Sequence, residues 1–393
     1  MLEKLDTIPW NKLQHAYGSA ADIPNNIRAL SSDNFEVRQQ GLQALYGNIF
    51  HQGTRYEATP YAIPFLFELI QNKNTKDKHR LIYYLINLAL GYENSYLLEG
   101  INPRQIKTEL KQAQEDMSLQ EIEDGKEYGY SYLALLDCYV FVEERTYILQ
   151  EIIEKTPKND NNRSLINAAI YALSWFAEKG NQSMKCIKNQ IPFLKHEEDI
   201  ANCILGIGLL HKNTEPKSNI LYLEKYLTSS SLLLKTSAAI ALAKPPLDDQ
   251  IITILIDSIT FNEALRNTEI IPFNDGNING YASGILSTYA QTKEEEQKIL
   301  LALCQTLGKL NMYQATETTV FILEILNKKR TIPIKETNIK QLEKNEIIAL
   351  RAIANSKGWG EGKMSFANHS LIIKEAGLPN SKQKLIDYLA EYY

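Results

Sequence analysis

The sequence predicts an all-α protein whose helices form stacked antiparallel pairs. Apolar residues recur at helical spacing along almost the whole chain, as at Leu42, Leu45 and Ile49, whereas sustained two-residue alternation is hard to find. Short polar turns, such as residues 31–34 and 158–162, separate the candidate helices. Because short turns favour antiparallel neighbours, we expect consecutive helices to pair.

An internal period strengthens this expectation. Segments 166–173, 201–208 and 236–243 align at offsets of 35 residues, since 201 − 166 = 35 and 236 − 201 = 35. The aligned columns are small at Ala168, Cys203 and Ala238, and large and aliphatic at Ile170, Leu205 and Ile240. Stacked helix pairs need small residues where helices cross closely and large residues between layers. The period predicts an α-solenoid, a right-handed superhelix of helical hairpins, with an irregular helical bundle as the alternative.

The elements can be followed along the chain from residue 31. Segment 34–45 has a polar turn, then Arg38, then a small and aliphatic face, and it resembles the first helix of a HEAT repeat. Segment 59–71 is similar to the second helix of that repeat, and segments 78–90 and 163 onward fit the same pattern. The resemblance implies HEAT-like helix pairs over roughly residues 31–330.

Two segments depart from this regular pattern. Residues 103–124 predict a strongly charged helix that enters as an insertion, and its charges indicate a solvated outer face. Residues 261–280 predict a polar loop with Gly and Asn. Because long loops on a rigid scaffold often carry function, both segments are candidate contact elements.

The two ends of the chain carry the most individual residue pattern. Residues 10–24 contain Trp10 and the turn His15-Ala16-Tyr17-Gly18, and residues 51–56 read His51-Gln52-Gly53-Thr54-Arg55-Tyr56. Near the C-terminus stand Trp359, Gly377-Leu378-Pro379 and Leu385. These residues look like the two ends of a group of uncharacterised bacterial HEAT-repeat proteins. The resemblance implies the HEAT-like fold and brings no established activity.

In physical terms the N-terminal block is expected to be a cap. Gly18 and Gly53 stand where the chain needs a left-handed residue, and Pro24 and Pro60 precede or open the next helix. Residues 1–60 would hide the apolar face of the first repeat, with His51 bound to last-turn carbonyl groups. Residues 339–393 would form a C-terminal helical cap on a single solenoid domain, 1–393.

Two groups of residues are candidates for binding. The first group would make a polar pocket beside His15, and the second lies in the polar loop. The candidates are Tyr17, His51, Arg55 and Tyr56 in the first group and Phe273, Asn274 and Asp275 in the second. Capping is favoured over catalysis, because a His or Tyr near a helix terminus is usually a satisfied structural group. We therefore expect His15 and His51 to be structural.

Composition and motifs exclude several classes of function. The 42 Lys and Arg against 47 Asp and Glu give a net charge of −5, which makes nucleic acid an unfavourable partner. Catalytic and cofactor motifs such as GxSxG, HExxH and GxGxxG are absent from the sequence, and the four Cys lie far apart. The cluster from His196 to Asp199 predicts a helix start and not a metal site. We expect no cofactor, no enzyme activity, no membrane span and a cytoplasmic location.

The function expected from this shape is non-catalytic protein binding. An extended helical surface with 22 Tyr offers contact groups of the kind enriched in interfaces. HEAT-like solenoids similar to this one occur among immunity proteins, so a basic toxin is the partner expected first. The alternative is a HEAT-like DNA glycosylase that acts on alkylated bases, for which Trp175 and Asp137 supply residue types. A third class is a lyase or scaffold for tetrapyrrole attachment, for which the sequence offers no catalytic constellation.

Overall fold

The computed structural model describes residues 1–124, 134–213, 218–261, 265, 270–328, 342–361 and 364–390. Over these ranges the chain is mostly helical, and its strands form two hairpins of two-residue strands, so the all-α expectation is confirmed. Contacts divide the chain into two compact units, Met1–Asn219 and Ile220–Tyr393. Within the described ranges we find no helix with the length and apolar character that a bilayer span requires.

The first unit begins with an antiparallel hairpin and continues as helices. Its strands are β1 (Gln14–His15) and β2 (Gly18–Ser19). Its helices are α1 (Ile23–Ala29), α2 (Phe35–Asn48), α3 (Thr59–Gln71), α4 (Lys78–Leu90), α5 (Pro103–Asp124), α6 (Leu135–Glu143), α7 (Thr146–Lys155), α8 (Arg163–Ser174), α9 (Gly180–Gln190) and α10 (Glu197–His211). Helix α11 (Ser218–Glu224) contains the division between the units.

The second unit has the same helical character and one further hairpin. Its helices are α12 (Leu232–Leu242), α13 (Asp249–Phe261), α14 (Ile278–Tyr289), α15 (Lys293–Leu307), α16 (Met312–Asn327), α17 (Lys344–Asn355), α18 (Ala367–Glu375) and α19 (Lys382–Ala390). Strands β3 (Gly360–Glu361) and β4 (Met364–Ser365) pair between α17 and α18.

Local signals place the helix boundaries where the sequence predicts them. Helices α3, α4 and α5 begin and end at the expected residues. Helix α2 starts after Asn34, whose side-chain oxygen accepts a hydrogen bond from the Glu36 amide at 2.8 Å. Helices α1 and α3 each carry a proline in the first turn, Pro24 and Pro60, where the missing N–H costs no hydrogen bond.

Helices also pack on their second neighbours. In the first unit α4 contacts α6, α7 contacts α9 and α8 contacts α10, and α8 also contacts α4, which lies four helices earlier in the chain. In the second unit α12, α14 and α16 contact in a row, while α13, α15 and α17 form another row. The periodic segments 166–173 and 201–208 therefore lie on α8 and α10, which pack against each other.

The contact between α8 and α10 requires a small residue at Gly206. A Cβ atom at that position would collide with the Oγ of Ser174 and lie 3.6 Å from the Cγ2 of Ile170. Ser174 is itself held, because its hydroxyl donates to the Ile170 carbonyl at 2.7 Å. Gly206 aligns with Tyr171 and Ala241 at the 35-residue offset, so this close approach belongs to the contact between α8 and α10 and not to the small column of the repeat.

A buried polar network fixes the register of the same two helices. Arg163 donates from Nε and Nη2 to the Asp199 carboxylate, at 2.9 Å for the shortest contacts. Asn167 donates to Asp199 Oδ1 at 2.7 Å, and Asn202 donates to Asn167 Oδ1 at 3.0 Å. Asn167 and Asn202 are 35 residues apart (202 − 167), which is the period of the sequence. Sliding either helix would leave these buried groups unpaired.

Lysine side chains satisfy carbonyl groups at the ends of helical segments. Lys158 Nζ donates to the carbonyls of Ile153 and Thr156 at the end of α7. Lys328 Nζ does the same at the end of α14, reaching the Ala290 carbonyl at 2.7 Å. Lys212 Nζ donates to the Leu97 carbonyl at 3.1 Å, and its burial lowers its pKa to about 8. Binding of terminal carbonyl groups, which was expected of His51, is therefore seen at these lysines. His51 contacts Tyr17 instead.

The contact at Gly206 predicts strong coupling with Ser174. We expect Gly206→Ala to destabilise the chain by about 1 kcal/mol, because the new methyl group displaces the Ser174 hydroxyl. In a Ser174→Ala background the same substitution should be neutral or stabilising, since Ala is the better helix former by about 0.8–1 kcal/mol. A double-mutant cycle by urea unfolding measures the coupling, and additive effects would contradict the close contact.

Candidate interaction surface

The N-terminal hairpin is tied to the helices beside it. The Ala16 amide donates to the Asn48 carbonyl at 3.0 Å, and the Ala58 amide donates to the Gln14 carbonyl at 3.1 Å. Gly18 has a φ of 107°, which confirms the expected positive φ and places it in the hairpin and not at a helix end. These bonds hold the tip of the hairpin against the end of α2 and the start of α3.

His15 and Asp22 form the centre of this attachment. The Tyr17 amide donates to His15 Nδ1 at 3.0 Å, so the proton is on Nε2, which donates to Asp22 Oδ1 at 2.9 Å. The other Asp22 oxygen accepts from Asn26 at 2.9 Å and from Asn48 at 2.7 Å. One carboxylate therefore connects the hairpin, α1 and α2, and His15 is a buried structural group in this arrangement.

Tyr17 and His51 meet at the surface. Tyr17 is 70% exposed, and its hydroxyl lies 3.3 Å from His51 Nδ1. The two rings pack edge to face with centroids 5.4 Å apart. The structure thus brings together two of the predicted binding residues, and the buried His15 holds the backbone of the first.

A second exposed tyrosine packs against the turn that contains His51, at Gly53. Tyr92 is 63% exposed, and a Cβ atom at Gly53 would be 2.7 Å from its Cε2. Gln52 and Gly53 have φ values of 51° and 86°, and at Gly53 this left-handed backbone favours glycine. We call Tyr17, His51 and Tyr92 the aromatic surface.

Arg55 and Tyr56 occupy the base of this turn. Arg55 is 7% exposed, and its Nη1 donates to the Gly53 carbonyl at 2.7 Å. Burial lowers the pKa of Arg55. The Tyr56 amide donates at 2.7 Å to the Thr59 hydroxyl, which donates at 2.7 Å to the Ile49 carbonyl. Neither residue forms the open polar pocket that was an alternative for this block.

The second predicted group has a different character. Phe273 is fully buried, so its side chain anchors the loop and offers no contact area. Asn274 donates to Glu317 Oε1 at 3.0 Å, and Asn274 and the exposed Asp275 both have a φ of 51°. Burial raises the pKa of Glu317, and the amide hydrogen bonds oppose that rise. Residues 262–264 and 266–269 of the predicted loop lie outside the described residues.

A cleft of about 260 Å³ opens between the starts of α8 and α10. Its apolar side is formed by Ile166, Phe193 and Leu194, and its polar residues are Lys158, Asn159, Asp160, Arg163, Asn167, Lys195, His196 and Asp199. His196 lies just before α10 and pairs with Asp160 at 2.9 Å, as expected for a helix start. Across the described residues no cluster of His, Cys, Asp or Glu could hold a metal ion.

A group of charged residues connects α5 to α6. Lys107 Nζ lies 2.8 Å from a Glu143 oxygen and 2.7 Å from a Glu178 oxygen. Burial, reinforced by the neighbouring Glu178 carboxyl group, raises the pKa of Glu143 to about 7. The opposite effect is seen at Glu178, whose pKa is lowered by hydrogen bonds to Glu143 and Lys107. The pKa values of the two carboxyl groups are therefore shifted in opposite directions.

The residue types considered for base recognition lie in other surroundings. Trp175 is buried, with its ring edge to face with Tyr171 at 5.6 Å. Asp137 lies in the first turn of α6. The Trp175 indole is therefore part of the core and is not displayed to a nucleotide. Burial also raises the pKa of the Cys138, Cys186 and Cys203 thiols, which keeps them protonated.

Comparison with known proteins does not add to this description. No family model matches the chain, and no curated protein or solved structure matches it. The assignment of function therefore depends on the geometry of the described residues alone.

Sequence reasoning missed one residue of the aromatic surface, Tyr92, and one residue that supports it, Asp22. Tyr92 follows Gly91, which ends α4 with a φ of 77°. The sequence signal for Tyr92 was therefore a Gly-Tyr pair directly after an apolar helix. Asp22 stands beside Pro24 at a helix start, but its three partners come from three segments. Only the folded chain brings these together.

The Asp22 contacts predict a structural role for His15. His15→Ala should lower the free energy of unfolding by about 1–3 kcal/mol, because the Tyr17 amide and one Asp22 oxygen lose their partner. His51→Ala should lower it by less, since His51 is only half buried. Urea unfolding of both variants makes the comparison. A His15→Ala protein of unchanged stability that loses partner binding would overturn the structural role.

The Glu143 pKa predicts a pH dependence of stability. The folded-state pKa of Glu143 is about 7, and the ordinary pKa of Glu is about 4.3. Between these pH values Glu143 is protonated in the native state and ionised in the unfolded state. Stability should therefore fall as pH rises from about 5 to 7, by at most about 1.4 kcal/mol per unit. Glu143→Gln should flatten the profile, whereas Glu151→Gln, in an exposed helical pair, should leave it unchanged. Equal profiles for Glu143→Gln and wild type would contradict the raised pKa of Glu143.

Proposed function

We propose that this protein binds another protein through the aromatic surface and has no catalytic role. The observation that carries the proposal is the exposure of two tyrosines, at 70% and 63%, which contact His51 and Gly53 of one turn. Large apolar rings held in water lose less conformational entropy on binding than flexible side chains do, and Tyr is enriched among residues that dominate binding energy. Their display therefore favours an interface.

The supporting structure beneath the tyrosines strengthens the proposal. Asp22 satisfies side chains from three segments, and the positive φ values at Gln52 and Gly53 fix the turn. A surface that is organised before binding avoids the entropy cost of ordering it during binding. The arrangement is that of a preformed contact site.

We further propose a HEAT-like α-solenoid as the architecture and an immunity or inhibitory factor as the specific role. Second-neighbour helix packing and the 35-residue network of Asn167 and Asn202 support stacked helix pairs. The net charge of −5 favours a basic partner, because opposite charges speed encounter and disfavour wrong pairings. A basic toxin encoded by a neighbouring gene is therefore the first partner to test. A cytoplasmic location suits this role.

The test is co-expression with the product of the adjacent gene, followed by titration calorimetry of the purified proteins. Rescue of growth with a stable complex supports the role. Tyr17→Ala and Tyr92→Ala should each weaken the complex by about 10- to 100-fold, the loss expected for residues that dominate an interface. Melting temperatures should stay close to wild type, because both side chains are exposed.

Tyr313→Ala is the matched control, since Tyr313 is 65% exposed but belongs to the second unit. An equal loss of affinity in this variant would remove the aromatic surface as the binding site. Excision of alkylated bases from DNA by the purified protein would instead favour the glycosylase alternative.

A further inference from the structure

Arg55 carries a buried positive charge that has no negative partner among the described residues. Its side chain is 7% exposed. The hydrogen bond from Nη1 to the Gly53 carbonyl uses one of the five N–H donors of a guanidinium, and Nε is buried without an acceptor. Most of the binding capacity of this side chain is therefore unused.

The comparison with Arg163 makes the difference clear. Arg163 is also largely covered, but two of its nitrogen atoms bind the Asp199 carboxylate and one reaches Glu198 at 3.3 Å. Burying a charge is costly unless an opposite charge and hydrogen bonds replace the lost water. Arg163 has that replacement and Arg55 lacks it. The free protein thus keeps a guanidinium in unfavourable surroundings.

The surroundings of Arg55 make room for its charged group beneath the aromatic surface. A Cβ atom at Gly91 would lie 2.7 Å from Arg55 Nη1, and the φ of 77° at Gly91 favours glycine at this position. The carbonyl that holds Arg55 belongs to Gly53, the residue against which the exposed Tyr92 ring packs. The exposed part of Arg55 is small, and it lies in the same turn as His51. The guanidinium therefore lies beside Gly53 and Gly91, next to the Tyr92 end of the aromatic surface.

We propose that Arg55 is the receptor for an Asp or Glu side chain that the partner protein inserts at the aromatic surface. A carboxylate matches the planar guanidinium with two parallel hydrogen bonds. The pairing supplies the acceptors that Arg55 lacks in the free protein. This inference rests on the proposed protein-binding function and names the chemistry of the contact.

The first test compares the thermal unfolding of full-length variants without a partner. Arg55→Met should raise the melting temperature by about 2 °C or more, because it removes an uncompensated buried charge. The matched control is Arg163→Met, which should melt at a lower temperature because it leaves Asp199 buried and unpaired. If Arg55→Met fails to fold, Arg55→Gln removes the charge and keeps a donor for the Gly53 carbonyl. A loss of stability in Arg55→Gln comparable to that of Arg163→Met would overturn the proposal.

The second test uses formate as the carboxylate probe. Sodium formate should raise the melting temperature of the wild-type protein more than sodium chloride of the same ionic strength does. The excess should be absent in Arg55→Gln and present in Arg163→Met if that variant folds. Equal responses of the wild-type protein to the two salts would overturn the proposal.

Both tests use the protein alone, so their failure is distinguishable from failure of the proposed binding function. With the partner in hand, Arg55→Gln should weaken the complex at least 10-fold. Replacing the matching acidic residue of the partner by its amide should then cause little further loss in the Arg55→Gln background. Additive losses would show that the carboxylate binds elsewhere.

Discussion

The structure of the first unit depends on pairing buried polar groups across neighbouring helices. Asp199 lies inside the contact between α8 and α10 and is tolerated there because Arg163 and Asn167 surround it. The close approach at Gly206 brings the helices near enough for these bonds to form. Apolar packing alone would allow one helix to shift by a turn along the other. Such a shift would leave Asn202 and Asp199 without hydrogen-bond partners. Packing thus sets the distance, and hydrogen bonds set the register.

The same requirement explains how a surface for binding is made at the N-terminus. Asp22 joins three segments because His15, Asn26 and Asn48 all find their acceptor there. The hairpin is too short to be stable by itself, so its position is given by these bonds and by those of its backbone to α2 and α3. Tyr17 lies in the turn of the hairpin, where its amide is held by the buried His15 and its ring is exposed. The display of an aromatic ring in water is therefore a consequence of a polar cluster beneath it.

The sequence predicts the local part of this structure well. The bounds of α3, α4 and α5, the positive φ of Gly18 and Gly53 and the prolines at helix starts follow from interactions within a few residues. Contacts between distant segments could not be predicted in the same way. Lys212 binds carbonyls more than 100 residues away, and the pKa of Glu143 depends on Glu178 of a different segment. Their partners become neighbours only when the helices pack.

Arg55 and Arg163 show that residue type alone does not determine the role of a side chain. Both are arginines near the start of a helix, and the sequence beside each is polar. Arg163 meets a carboxylate from the next helix of its row, so its charge contributes to the fold. Arg55 meets a backbone carbonyl and two glycines, so its charge is a cost to the free protein. Natural chains accept such costs where a group must be ready for a ligand, because a charge already desolvated and oriented binds without further reorganisation. The two arginines differ in their unpaired hydrogen-bond donors. These donors can be identified in the folded chain but not in the sequence.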